Sequence, residues 1–93
     1  MATPPSGSSA QDQLMSQAKT DLAGRVGVQS SQVSVLEAKA VEWNDGSLGC
    51  PAPGMMYLQV ITPGYRFLLQ AAGKSYEYHA DRGSRVFLCE KPS

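Results

Sequence analysis

One change of rhythm limits what this chain can become. Leu14, Ala18, Leu22 and Val26 recur every four residues, with Gln13, Gln17, Lys19 and Asp21 off that line. This spacing predicts one amphipathic helix. After Gln32 the four-residue spacing disappears and two-residue alternation, broken by turn residues, takes over. A chain of 93 residues with one helical segment followed only by strands is a small α+β domain. The expected fold is one N-terminal helix packed on an antiparallel meander sheet of four or five strands.

The helix is expected to start near Ala10, capped by Ser8 or Ser9, with Gln11 and Asp12 three residues on from each. Gly24 or Gly27 would end it. Residues 1–9, rich in Pro, Ser, Gly and Thr, form a flexible leader or linker, and 10–93 a single domain. Along the first strand Val33 and Val35 share one parity, Leu36, Ala38 and Ala40 take the other, and Val41 and Trp43 revert. Such a change of parity predicts a bulge or bend. Asn44-Asp45-Gly46 is turn chemistry. Met55–Ile61 is expected as a second strand, closed by a tight turn at Pro63-Gly64. Tyr65 to Ala71 forms a third, Gly73 turns into a fourth at Ser75 to Ala80, and Arg82-Gly83-Ser84 turns into a short last strand from Arg85 to Cys89.

Charge excludes some classes of function. Eight basic residues balance eight acidic ones, and a neutral chain without a basic run lacks the field that draws nucleic acid or anionic membrane. No apolar run is long enough to span a bilayer. The stretch holds no signal-peptide pattern, so an export signal or lipid anchor would lie outside it.

Asp45 to Gly54 carries three glycines and two prolines in ten residues. The prolines fix φ and the glycines permit otherwise forbidden angles, so the loop is shaped rather than slack. Shaped loops on rigid sheets are common recognition elements, although a plain crossover would have the same composition. Asp45, Ser47, Leu48, Pro51 and Pro53 are its candidate contact residues, with Trp43, Tyr57 and His79 as neighbours. His79 shares parity with Ser75, Glu77 and Asp81, opposite Tyr76 and Tyr78. On a one-sided sheet that parity faces solvent, so His79 is expected to be exposed.

Cys50 and Cys89 are too few for a structural zinc site, even with His79 added, and no cofactor motif is present. A disulfide is the favoured state. Closing a ring of about 40 residues would stabilise the fold by roughly 4 kcal/mol and imply an oxidising compartment. Two packed thiols, or one reactive thiol, stay open as alternatives. Cys50, His79 and either Asp45 or Asp81 have the residue types of a thiol triad, so a thiol-dependent hydrolase or transferase is the rival to a non-catalytic binding module.

The run from Trp43 through Asn44-Asp45-Gly46-Ser47-Leu48-Gly49-Cys50-Pro51-Ala52-Pro53 to Gly54 resembles a family of small uncharacterised bacterial proteins, many of them predicted to be exported or lipid-anchored. Tyr57-x-Gln59, Pro63-Gly64-Tyr65 and Tyr76-x-Tyr78-His79 extend the likeness, which covers Asp21 to Glu90. The resemblance implies an extracytoplasmic protein, secreted, periplasmic or lipid-anchored, and carries no activity with it. A weaker likeness, in helix-then-sheet order and the Gly27-Val28 to Val33-x-Val35 entry, is to PepSY-like and cystatin-like modules. It implies a binding or protease-regulating role with a protein or peptide partner and no catalytic residues, although the proline-rich Cys50 loop departs from that pattern.

Overall fold

The computed structural model describes residues 10–82 and 85–89. Helix α1 (Ala10–Val26) leads through a short 3-10 turn (Ser30–Gln32) into strands β1 (Ser34–Trp43), β2 (Thr62–Ala71), β3 (Lys74–Asp81) and β4 (Val86–Leu88). The strands form one sheet in the order β1-β2-β3-β4, every neighbouring pair antiparallel. This is an α+β fold with one helix on a four-stranded meander. The leader, the Ser8 and Ser9 caps, and Gly83 and Ser84 of the last turn lie outside the described residues.

The helical stripe buries Leu14, Ala18 and Leu22, joined by Ala23. Opposite them stand Phe67, Leu69 and Ala71 of β2 and Tyr78 and Ala80 of β3. The alanines leave room for the large rings of Phe67 and Tyr78 beneath the helix. Each fully buried Leu or Phe contributes about 1.5–3 kcal/mol. A polar pin crosses the same interface, where the buried Tyr78 hydroxyl donates to Asp21 Oδ2 at 2.7 Å. Gly27 (φ 76°) ends the helix, with its own N–H and that of Val28 both donating to the Ala23 carbonyl. Gly24 lies inside α1 and does not stop it.

The expected bulge lies in β1, where the register shifts between Val35 and Glu37 and Leu36 is the extra residue. Ala38 and Ala40 then stand opposite Phe67 and Tyr65 on the helix side. The later reversion to Val41 and Trp43 is no second bulge. Those residues belong to the other face, which also has apolar surface to cover. Ala72 (φ 52°) and Gly73 (φ 81°) are both left-handed and make the tight turn from β2 to β3.

Two sequence expectations are corrected. Met55–Ile61 is not a strand: it forms no ladder and leaves most of its apolar side chains exposed. Alternating hydrophobicity gives a segment strand character, but a strand also needs a neighbouring edge, and β2 fills that place beside β1. Pro63-Gly64 is not a turn either, for both residues lie inside β2, paired with Glu42 and Val41. Pro63 is tolerated beside the strand start, as P-G turn chemistry yields to sheet pairing.

Gly64 is needed for its missing side chain. A Cβ there would collide with the Ala80 carbonyl oxygen and come within 2.7 Å of Trp43 Nε1. That gap lets the Trp43 indole cross β2 and donate from Nε1 to the Ala80 carbonyl at 3.0 Å. Gly64→Ala should therefore destabilise the protein by more than about 2 kcal/mol, because the obstacle is backbone and cannot turn aside. Urea unfolding followed by the emission of Trp43, the sole tryptophan, measures the loss; a change below about 0.5 kcal/mol would contradict this packing.

Candidate functional site

The sheet is not one-sided. Its second face carries Glu37 from β1, Arg66 from β2, Glu77 and His79 from β3, and Phe87 from β4, as the register of facing residues shows. A single helix covers only the first face. The chain after β1 closes part of the second.

That closure is built locally. The Asp45 carboxylate accepts from the Ser47 hydroxyl at 2.6 Å and the Ser47 N–H at 2.9 Å, bending the chain back over the sheet. Both bonds favour the charged form and hold the Asp45 carboxyl below its ordinary value. Leu48 and Gly49 follow in left-handed conformation, φ 56° and 74°. For Leu48 that costs on the order of 1 kcal/mol, and burial of its side chain offsets it. Gly49 must be glycine, since a Cβ would lie 2.5 and 2.8 Å from two Trp43 ring carbons. Cys50 then bonds Cys89 just beyond β4, with Cα atoms 5.9 Å apart, and ties the loop to the far side of the sheet.

His79 lies under this closure and is 2% exposed, which corrects its expected exposure. Its parity is as the sequence indicates, but the 44–50 loop covers that face. The imidazole stacks on Trp43 at 4.4 Å between centroids and meets Phe87 at 6.4 Å. Nδ1 lies 2.6 Å from the Leu48 carbonyl oxygen, and Nε2 lies 2.6 Å from Glu77 Oε2. A ring with one proton can donate to one of these acceptors, and a ring with both protons to both.

Glu77 continues the network. Arg66 donates to it from Nε at 2.7 Å and Nη2 at 3.1 Å, and from Nη1 to Glu37 at 2.8 Å. Arg66, outweighing the opposing effect of burial and helped by His79, holds the Glu77 carboxyl below its ordinary value. Among the described residues no buried side-chain nitrogen or oxygen lacks a partner. This arrangement braces the loop. His79 has its ring nitrogens committed to Leu48 and Glu77, and the Cys50 sulfur is bonded to Cys89, so the thiol–imidazole pair of a triad is not assembled.

The sequence-named residues therefore divide. Ser47, Leu48 and His79 are buried, Trp43, Asp45 and Tyr57 half-buried, and Pro51 and Pro53 exposed. Beside Trp43 and Asp45 a shallow cleft of about 270 Å³ opens, also lined by Glu42, Gly49 and Pro51. Tyr57 is half-buried, and its hydroxyl accepts from the Ala52 N–H at 3.0 Å within the loop itself. Nearby, the Leu58 carbonyl accepts from Gly46 N–H at 2.9 Å.

The most exposed apolar surface follows the named loop. Met55, Met56, Leu58, Val60 and Ile61 are 60, 94, 78, 53 and 61% exposed. One signal in the sequence marks it: residues 46–65 contain no Asp, Glu, Lys, Arg or His. No helix among the described residues is long and apolar enough to cross a membrane.

His79→Ala should cost about 3 kcal/mol or more, since it opens a cavity beside Trp43 and removes the ring that bridges the Leu48 carbonyl and Glu77. Chemical denaturation measures it, and a neutral result would show that the loop does not depend on the ring. The acid limb is a second test. A carboxyl depressed in the folded state stabilises it fully above the unfolded value, near 4.5 for Glu77, and the contribution fades as pH falls through the folded value. Asp21 acts in the same direction: burial pushes its carboxyl up, but Tyr78 and Arg25 outweigh that and hold it below 3.8. Unfolding free energy should fall from about pH 5 downward, and Glu77→Gln should make that fall shallower.

Residues 15–89 match the family described as Domain of unknown function (DUF8738). No curated protein and no solved structure matches the chain.

Proposed function

We propose that this chain, which belongs to the DUF8738 family, is a non-catalytic extracytoplasmic binding module whose contact element is the 51–61 segment. The observation that carries the reading is the run of five large apolar side chains, each more than half exposed, between Met55 and Ile61. Contiguous exposed apolar surface of this kind marks interaction sites. Both flanks of the segment are fastened, by the disulfide at Cys50 and by β2 at Thr62. Pro51 and Pro53 restrict its freedom further, which lowers the ordering cost of binding. Ser47, Leu48 and His79 brace the loop that precedes the segment, beside the cleft at Trp43, Asp45 and Pro51.

The partner is a protein or peptide presenting an apolar surface, since the segment offers no charge to a nucleic acid or a polar ligand. Flexible methionines such as Met55 and Met56 adapt to irregular partner surfaces. The Cys50–Cys89 bond supports an oxidising compartment, in keeping with the resemblance to exported bacterial proteins. The likeness to PepSY-like and cystatin-like modules supports a protease-regulating form of the same role.

The test is site-specific photocrosslinking of full-length protein in the cells that produce it. A photoreactive phenylalanine replacing Met56 should yield a discrete adduct, and the same group replacing Gln17 on the helix should not. Adding Leu58→Ser and Ile61→Ser should abolish the adduct while changing stability by less than about 0.5 kcal/mol, because both side chains already face solvent. Equal labelling at the two positions, or none at Met56, would overturn the proposal. Two free thiols in protein isolated under oxidising conditions would remove the extracytoplasmic assignment.

A further inference from the structure

The two ring nitrogens of His79 both face oxygens, the Leu48 carbonyl and Glu77 Oε2, each at 2.6 Å. A carbonyl has no proton to give. Neither has Glu77, whose carboxyl Arg66 holds below its ordinary value. Both contacts are hydrogen bonds only when the ring supplies a proton to each, and only the imidazolium has two. With one proton, a ring lone pair stands against an oxygen in a site 2% exposed, where such a mismatch is costly. The charged Glu77 carboxylate is the stronger acceptor and keeps the remaining proton at Nε2. The loss therefore falls on Nδ1 and on its bond to the Leu48 carbonyl.

We propose that His79 is a pH-operated clasp: the ring with both protons fastens the 44–50 loop to the sheet, and loss of one proton releases the loop at Leu48. The closed loop binds one proton more than the open one, so falling pH favours closure and rising pH favours opening. Imidazole is the side chain whose ordinary charge change lies between about pH 5 and 8, and this chain has a single histidine. The surrounding charges come from several elements. Glu77 of β3 favours the second proton directly. Arg66 of β2 opposes it, but its donors are engaged by Glu77 and by Glu37 of β1. Arg85, ahead of β4, opposes it from beyond the Phe87 ring and reaches the Gly46 carbonyl at 3.5 Å. Asp45 in the loop and Asp81 at the end of β3 favour it from farther away, engaged with Ser47 and with the Arg85 N–H. Release matters at Leu48, whose left-handed backbone (φ 56°) is held by this bond and by its buried side chain. The Cys50 disulfide and the end of β1 at Trp43 limit how far the freed loop travels. The clasp stands whether or not the 51–61 segment binds a partner.

Nitrogen-15 NMR of the full chain with its disulfide intact, titrated from about pH 5 to about pH 9, tests the clasp. Both His79 ring nitrogens should read as protonated at the acid end, and Nδ1 alone should lose its proton as pH rises. The amide signals of Ser47, Leu48 and Gly49, and the emission of Trp43 stacked on the ring, should shift with the same midpoint. Those of Leu14 and Leu22 in α1 should stay in place. Glu77→Gln separates a clasp from a merely structural ring, because an amide can donate to Nε2 and lets a ring with one proton satisfy both contacts. Arg66 keeps Glu37 in that variant, and its loop signals should lose their pH dependence. If the variant does not fold, the titration of the unaltered chain decides alone. A ring with one proton at the acid end beneath a closed loop overturns the proposal. So does a ring that gives up its proton without moving the Ser47–Gly49 signals, or one that keeps both until the whole protein unfolds. Loop shifts in a folded Glu77→Gln equal to those of the unaltered chain overturn it as well.

Discussion

The structure depends on how a single helix and a four-stranded sheet share two faces. Phe67, Tyr78 and their neighbours satisfy the first face by burial against α1. The second must be closed by irregular chain, and irregular chain brings backbone carbonyls that need donors. His79 meets that need. It gives the Leu48 carbonyl a partner, anchors itself on Glu77 and offers Trp43 a flat surface to stack on. Arg66 and Glu37 extend the same chain of charges to the sheet's edge. Such a network must be complete to be stabilising, since a half-satisfied one is worse than an apolar core. Around this stack the missing side chain of Gly49 makes room for the Trp43 and His79 rings, and that of Gly64 for the Ala80 carbonyl and the Trp43 indole.

How much of this was legible in the sequence varies by element. The helix was, because Leu14, Ala18 and Leu22 lie on one line and Gly27 offers a left-handed stop. The β1 bulge showed as a parity break, and the cysteine pair as a ring closure. The burial of His79 is not legible in its spacing, because parity says which face a side chain takes and not what covers that face. Covering depends on where the 44–50 loop goes, which is fixed by contacts to β3 and β4 far along the chain. The irregular course of Met55–Ile61 is hidden for a related reason. Its residues suit a strand, but a ladder requires an available edge, and no local pattern reports that. The uncharged run from Gly46 to Tyr65 carried the better signal, because burial in the domain and burial against a partner leave the same mark on composition.

The loop after β1 thus has two parts with different work. From Asp45 to Cys50 it is interior in character, with Leu48 buried and Ser47 tied back to Asp45. Among the described residues, Pro51 to Ile61 is held by light hydrogen bonding: Ala52 N–H to the Tyr57 hydroxyl, Gly46 N–H to the Leu58 carbonyl, Met55 N–H to the Ala52 carbonyl and the Thr62 hydroxyl to the Val60 carbonyl. A stiff half supports an open half, a sound arrangement for presenting apolar groups without letting them collapse onto the domain's own core.

The bond between Cys50 and Cys89 has a topological consequence. With the backbone from 50 to 89 it makes a covalent ring that contains the whole exposed segment. If a protease cuts that segment, the helix, β1 and the bracing loop end up on one piece, and β2, β3 and β4 on the other. The sulfurs lie on opposite sides of the cut, so the halves stay joined and the core contacts between α1 and β2 can persist. A cut at the most accessible place therefore leaves a nicked but undivided molecule.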